Sequence, residues 1–109
     1  MKAPHIIRQG DVLLIEVAAI PKDAKDVTPD GDVVLAFGEV TGHAHRIVQT
    51  KDSPKVRVWD AAGERFIQRI EANAQLTHEE HSAAVIERPV YRQIHQVEER
   101  GEKVRLVAD

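Results

Sequence analysis

The sequence has no cysteine among its 109 residues. Disulfides, thiolate nucleophiles, iron–sulfur clusters and cysteine-based zinc sites are therefore excluded from this chain. Any metal ion that these residues bind must be held by nitrogen and oxygen ligands.

Aromatic residues, basic runs and long apolar runs are also scarce. Aromatics make up 4% of the chain and the formal net charge is −3, so there is neither a stacking surface nor a basic stretch for nucleic acid. The apolar run Val12–Ile15 is interrupted by Glu16 and is too short for a signal peptide or a membrane span. We expect no nucleic-acid partner, no membrane contact and a cytoplasmic location.

The composition that remains is that of one folded domain. Apolar residues make up 42% and charged residues 30% of the chain, which is ordinary for a globular protein. A length of 109 residues predicts a single domain over residues 1–109.

Short valine-rich runs separated by Gly, Pro and Asp predict an all-β fold. Residues rich in Val and Ile fit a pleated sheet, and such turn residues mark its boundaries. We predict a small single-domain β-sandwich or barrel of about eight short strands, with Ile6 and Ile7 able to pair at an edge, because either architecture removes exposed edges. The predicted strands are 11–19, 32–37, 43–50, 55–59, 64–70, 83–87, 90–97 and 103–107.

The segment 38–45, GEVTGHAH, carries two histidines one residue apart after a turn bounded by Gly38 and Gly42. Side chains at i and i+2 of a strand point to the same face. His43 and His45 are therefore predicted to project side by side, as half of a metal site. The alternative is an exposed pair at the end of a strand.

A second pair, His78 and His81, could complete the site. The spacing i, i+3 places both rings on one side of a helical or 3₁₀ turn, whereas an extended chain would direct them to opposite faces. The alternative is a solvated acidic turn, because Glu79 and Glu80 lie between them. By contrast, His5 lies in a terminal segment that we expect to be loose.

Three carboxylates are close to these histidines in sequence: Glu39, Glu79 and Glu80. Each could act in catalysis as a proton shuttle, bind the metal, or orient an imidazole from behind. Imidazole binds Zn, Mn, Fe and Ni in its neutral form. We expect a divalent transition metal, zinc first and Mn, Fe or Ni as alternatives.

The residues Gly38-x₄-His43-Ala44-His45 resemble the first cupin motif, in which a glycine precedes His-x-His. His78 or His81 could stand where the second cupin motif supplies its histidine. The resemblance implies a small β-barrel with a metal at its mouth.

The sequence thus predicts a metal-binding β protein with two functional interpretations. In the first, the metal activates water for hydration or hydrolysis of a small-molecule substrate, carbonic-anhydrase-like lyase chemistry being one instance. In the second, the protein is a non-enzymatic binding or assembly module with a structural metal or none. A homo-oligomer could complete the site by bringing His43 and His45 of one chain to His81 of another.

Overall fold

The computed structural model describes residues 3–37, 42–94, 98–99 and 102–103, and this part of the chain is all β, as predicted. The strands are β1 (Ile6–Gln9), β2 (Val12–Glu16), β3 (Lys25–Asp26), β4 (Val33–Phe37), β5 (Ala44–Ile47), β6 (Val56–Ala61), β7 (Glu64–Arg69), β8 (Gln75–Thr77), β9 (Ala84–Val85), β10 (Val90–Ile94), β11 (Glu98–Glu99) and β12 (Glu102–Lys103). None of the described residues forms a helix of the length and apolarity that crossing a membrane requires.

The strands build two antiparallel sheets and a short ribbon. One sheet has the order β1-β2-β10-β7-β6-β3 and the other the order β4-β5-β8-β9, while β11 pairs with β12. Apolar side chains from both sheets form one core, which includes Leu14, Ile67 and Tyr91 from the first sheet and Ile47 and Leu76 from the second. Of the predicted alternatives, the described residues form the sandwich.

Most of the predicted strands recur in shortened form, β6 runs two residues beyond its predicted end, and the sheets add three strands that were not predicted as full strands. Strand β1 extends the expected Ile6–Ile7 edge pairing, because Ile7 pairs with Leu14 of β2. Strand β3 lies within residues 21–26, a charged segment for which the sequence predicts no strand, and β8 begins at the end of residues 71–75, a stretch whose composition tolerates a helical turn. That stretch forms only a turn, in which the Ala74 N–H donates to the Glu71 carbonyl at 3.2 Å. The last predicted strand, 103–107, lies almost wholly outside the described residues.

Two side chains of the first sheet, one buried and one half-buried, donate hydrogen bonds to the backbone of the second sheet. The amide of Gln93, on β10, donates to the Leu35 carbonyl at 3.0 Å, and Arg65, on β7, donates to the Val34 carbonyl at 3.0 Å. The register of β4 shifts between Val34 and Ala36, which marks a bulge at Leu35. These bonds satisfy outward carbonyls of an edge strand, and so hold the two sheets together.

The prediction of a loose segment at His5 is wrong. The His5 carbonyl accepts a hydrogen bond from the Glu16 N–H, and its N–H donates to the Glu16 carboxylate, both at 2.9 Å. The ring Nδ1 lies 2.8 Å from the hydroxyl of Tyr91. His5 thus belongs to a polar network of its own, attached to β2 and β10.

Candidate metal centre

The fold brings the two predicted histidine pairs together within one chain. His45 lies on β5, and His78 and His81 lie in the bend that follows β8. The ring centroids of His45 and His78 are 4.2 Å apart, those of His78 and His81 4.6 Å, and those of His45 and His81 5.5 Å. One ligand nitrogen from each ring lies within 4.8 Å of the other two. We call His45, His78 and His81 the inner set.

The spacing of the inner set suits a metal ion after small movements. Zinc–nitrogen bonds of about 2.1 Å place tetrahedral ligands about 3.4 Å apart. A separation of up to 4.8 Å therefore closes when each ring moves by less than about 1 Å. Three protein nitrogens leave the fourth position for water or substrate, as in catalytic zinc sites.

Gln9, at the end of β1, fixes the tautomer of His45. The Gln9 Nε2 donates to the carbonyls of Leu76 and Ser82, each at 2.9 Å. This orients the amide so that its Oε1 faces the His45 Nδ1 at 2.8 Å. Because an amide oxygen only accepts, the Nδ1 must carry the proton. The lone pair of neutral His45 is therefore on Nε2, the arrangement that metal-bound histidines show.

The turn between β1 and β2 covers the inner set. Gly10 has a φ of +55°, which suits the two-residue hairpin that joins Gln9 to Val12. A Cβ at Gly10 would lie 2.9 Å from the His81 Nε2, and 2.9 and 3.2 Å from the His45 Cε1 and Nε2. The absent side chain of Gly10 thus provides the space that both Nε2 atoms border.

We expect Gly10→Ala to disturb the inner set in addition to straining the turn. The positive φ should cost about 1–2 kcal/mol of stability, and the added Cβ must push the rings of His45 and His81 apart. Gly63→Ala is the matched control, because Gly63 has a φ of +84° and no atom within 4 Å of a Cβ. Zinc titrations should show weaker binding by Gly10→Ala only. Equal zinc affinity in the two variants would show that the space left by Gly10 is not needed for metal binding.

His78 is held differently from His45. The backbone N–H of Glu80 donates to the His78 Nδ1 at 3.0 Å. The lone pair of neutral His78 is therefore on Nδ1 and already accepts a hydrogen bond. A metal ion that binds His78 must displace this N–H, at a cost of about 0.5–1.5 kcal/mol. The inner set accordingly combines one histidine whose lone pair is already free, His45, with one that would first have to lose a hydrogen bond, His78.

The remaining predicted residues surround the inner set. His43 precedes β5, and its ring centroid is 5.8 Å from that of His78. The Glu79 carboxylate accepts a hydrogen bond from the Ala44 N–H at 3.0 Å, and a Glu80 oxygen is 3.5 Å from the His43 Nδ1. The Ala44 N–H holds the pKa of the Glu79 carboxyl below its ordinary value. Gly38 and Glu39 lie outside the described residues.

Burial keeps His45 neutral. Its side chain is almost fully enclosed, and this loss of hydration lowers the pKa of His45 below 6.5, with further lowering from the charges that His78 and His81 acquire on protonation. Asp11 and Glu79 oppose the effect but are smaller causes. A buried neutral imidazole keeps its lone pair available at neutral pH.

We expect the metal-free protein to lose stability as the pH falls below about 6.5, the ordinary pKa of histidine. As the pH falls, His45 becomes protonated in the unfolded chain first, because its pKa in the folded chain is lower. The stability that is present above pH 6.5 is therefore lost as the pH falls from this value through the lowered pKa of the folded state. Urea unfolding after chelator treatment, at pH 7.5 and at lower pH, measures the loss. His45→Gln should reduce the pH dependence, and an identical pH dependence in that variant would contradict the assignment.

Sequence reasoning did not find Gln9 or Gly10. Gln9 precedes Gly10-Asp11, a pair that signals a hairpin, so a tight turn at Gly10 could have been predicted. No local signal connects Gln9 to His45, because the two residues are 36 positions apart and meet only when the sheets pack.

Fold and site together define an antiparallel β-sandwich with a histidine cluster where its two sheets meet. Residues 8–96 match the family described as Domain of unknown function (DUF8820), and the chain belongs to that family. This match covers Gln9, Gly10 and all four clustered histidines. No curated protein and no solved structure matches the chain.

Proposed function

We propose that this protein binds a divalent transition metal ion, zinc before Mn, Fe or Ni, through His45, His78 and His81. The observation that carries the proposal is the chain of hydrogen bonds through Gln9, which leaves the lone pair of a buried histidine on Nε2 beside the His81 ring. Hydrogen-bonded partners of this kind orient metal ligands and increase their basicity.

Metal-activated hydration or hydrolysis of a small molecule is the chemistry that we propose. A zinc ion with three histidine ligands lowers the pKa of its fourth ligand, a water molecule, to about 7 and so supplies hydroxide at neutral pH. Glu79 and Glu80 lie next to the cluster, and we propose them, with Glu39, as candidates for proton transfer. Hydration of carbon dioxide is one concrete reaction of this type. We also retain, as part of the proposal, the resemblance of residues 38–45 to the first cupin motif.

A non-enzymatic binding or assembly module is the alternative. The Glu80 N–H already satisfies His78, and the Gly10 turn covers part of the cluster. Both features suit a structural metal, or a hydrogen-bonded cluster that needs none. A homo-oligomer and a cytoplasmic location stay predictions of either version.

Elemental analysis of protein purified without a histidine tag tests the proposal. We expect about one metal ion per chain, and an increase in melting temperature when zinc is added to chelator-treated protein. Finding no metal, together with no thermal shift from Zn, Mn, Fe or Ni, would refute metal binding. A carbon dioxide hydration assay then separates the two versions, because a structural site should give no rate above buffer.

A further inference from the structure

His78 belongs to a second group of ligand atoms. His43, His78 and Glu79 each offer one atom, and these atoms lie within 4.8 Å of one another. We call these three residues the outer set. It contains two nitrogens and one carboxylate, a mixture that suits Zn, Mn or Fe.

One nitrogen of the His43 ring, Nδ1, is buried without a hydrogen-bond partner among the described residues. The Glu80 carboxylate is at 3.5 Å, which is long for a hydrogen bond. Buried polar atoms without a partner are rare because each costs about 1–3 kcal/mol. A cation bound at this nitrogen would remove that cost.

A hydrogen bond to the backbone holds the Glu79 carboxylate beside the other residues of the outer set. One of its oxygens accepts the Ala44 N–H at 3.0 Å, which ties the carboxylate to the residue between His43 and His45. A carboxylate has two oxygens and further lone pairs, so this hydrogen bond is compatible with metal binding. Each set has one exposed member, Glu79 or His81, but His43 is only partly buried, whereas His45 is buried. The outer set is therefore the one nearer to solvent.

The shared histidine limits how the two sets can be used. A neutral imidazole has a single lone pair, so His78 can bind one ion at a time. We propose that the outer set is a second metal position, which competes with the inner set for His78 and accepts the ion from solvent. This inference rests on the proposed function, since it assumes that the inner set binds metal.

Zinc titrations of exposed-residue variants test the competition. In the otherwise unchanged chain, which should bind one zinc ion, Glu79→Gln should change zinc affinity by less than about 2-fold, because the inner set holds the ion. In His81→Ala, which removes one inner ligand, the outer set should hold the ion instead. There Glu79→Gln should weaken zinc binding by about 10-fold or more, because losing even a residue that only orients a metal ligand costs about 10-fold.

Glu64→Gln is the matched control, because Glu64 is also an exposed glutamate but pairs with Arg92 and belongs to neither set. It should leave zinc affinity unchanged in both backgrounds. His81 and Glu79 are exposed, so these variants should fold, which circular dichroism and the melting temperature of the chelated proteins can verify.

The outcomes distinguish this inference from the proposed function. If the unchanged protein binds no zinc, the proposed function itself fails. If it binds one ion but Glu79→Gln changes the zinc affinity of His81→Ala as little as that of the unchanged chain, only the outer position is refuted. If it binds two ions at once, the competition for His78 is refuted.

Discussion

Replacing His45 with alanine should weaken zinc binding by more than about 100-fold. Removing a residue that merely orients a metal ligand costs roughly 10–100-fold in affinity, and His45 is a direct ligand in the proposed inner set. It is also the most buried of the clustered histidines and the one whose tautomer is fixed. Competition with a chromogenic chelator, at pH 7.5 and constant ionic strength, measures the change in zinc affinity.

His5→Ala is the control for this experiment. His5 is a partly buried histidine that contacts Tyr91 and Glu87 and is not part of the cluster. We expect it to retain the zinc affinity of the unchanged protein. Equal losses in His5→Ala and His45→Ala would indicate a general effect on folding, and no loss in His45→Ala would remove His45 from the ligand set.

Gln9→Leu should lower both stability and metal affinity. Leucine has a similar volume but makes no hydrogen bond, so it leaves the Leu76 carbonyl, the Ser82 carbonyl and the His45 Nδ1 without their partner. Unsatisfied buried groups cost about 1–3 kcal/mol each, and partial exposure should limit the total to about 2–4 kcal/mol. Zinc affinity should fall by about 10–100-fold, because the His45 ring loses its orientation.

Gln93→Leu separates the two effects. Gln93 is as buried as Gln9 and also donates to a backbone carbonyl, that of Leu35. Among the described residues, it makes no hydrogen bond to the clustered histidines. It should lose about 1 kcal/mol and keep its zinc affinity. Urea unfolding of the chelated proteins and zinc titration of the folded ones give the two quantities. A loss of zinc affinity in Gln93→Leu equal to that in Gln9→Leu would show that packing alone is responsible.

Much of the candidate site was predictable because histidine pairs are visible in sequence. Alternation places His43 and His45 near each other if β5 is extended, and the i, i+3 spacing brings His78 and His81 together if the chain bends. The bend after β8 is neither helical nor 3₁₀, yet the rings of His78 and His81 do meet, with centroids 4.6 Å apart. The i, i+3 spacing therefore identified the residues, although the bend is neither of the two turn types for which the spacing rule holds.

The division of these histidines between two sets was not predictable. His43 and His45 were expected to act as one pair, but His45 joins His81 and His43 joins Glu79, with His78 common to both sets. The difference depends on burial, since His45 is covered by the β1–β2 turn and His43 is only partly covered. Periodicity specifies which face a side chain occupies, but not which other strand lies over it.

The sequence by itself determined the all-β class, most strand positions, the nitrogen and oxygen chemistry of any metal site and its histidines. These are consequences of composition and of short-range spacing, which act within a few residues. Only the tertiary structure decided that the sheets form a sandwich, that the histidines meet in one chain, and that Gln9 and Gly10 border them. Those contacts join residues from distant parts of the chain, and packing the sheets over a shared core creates them.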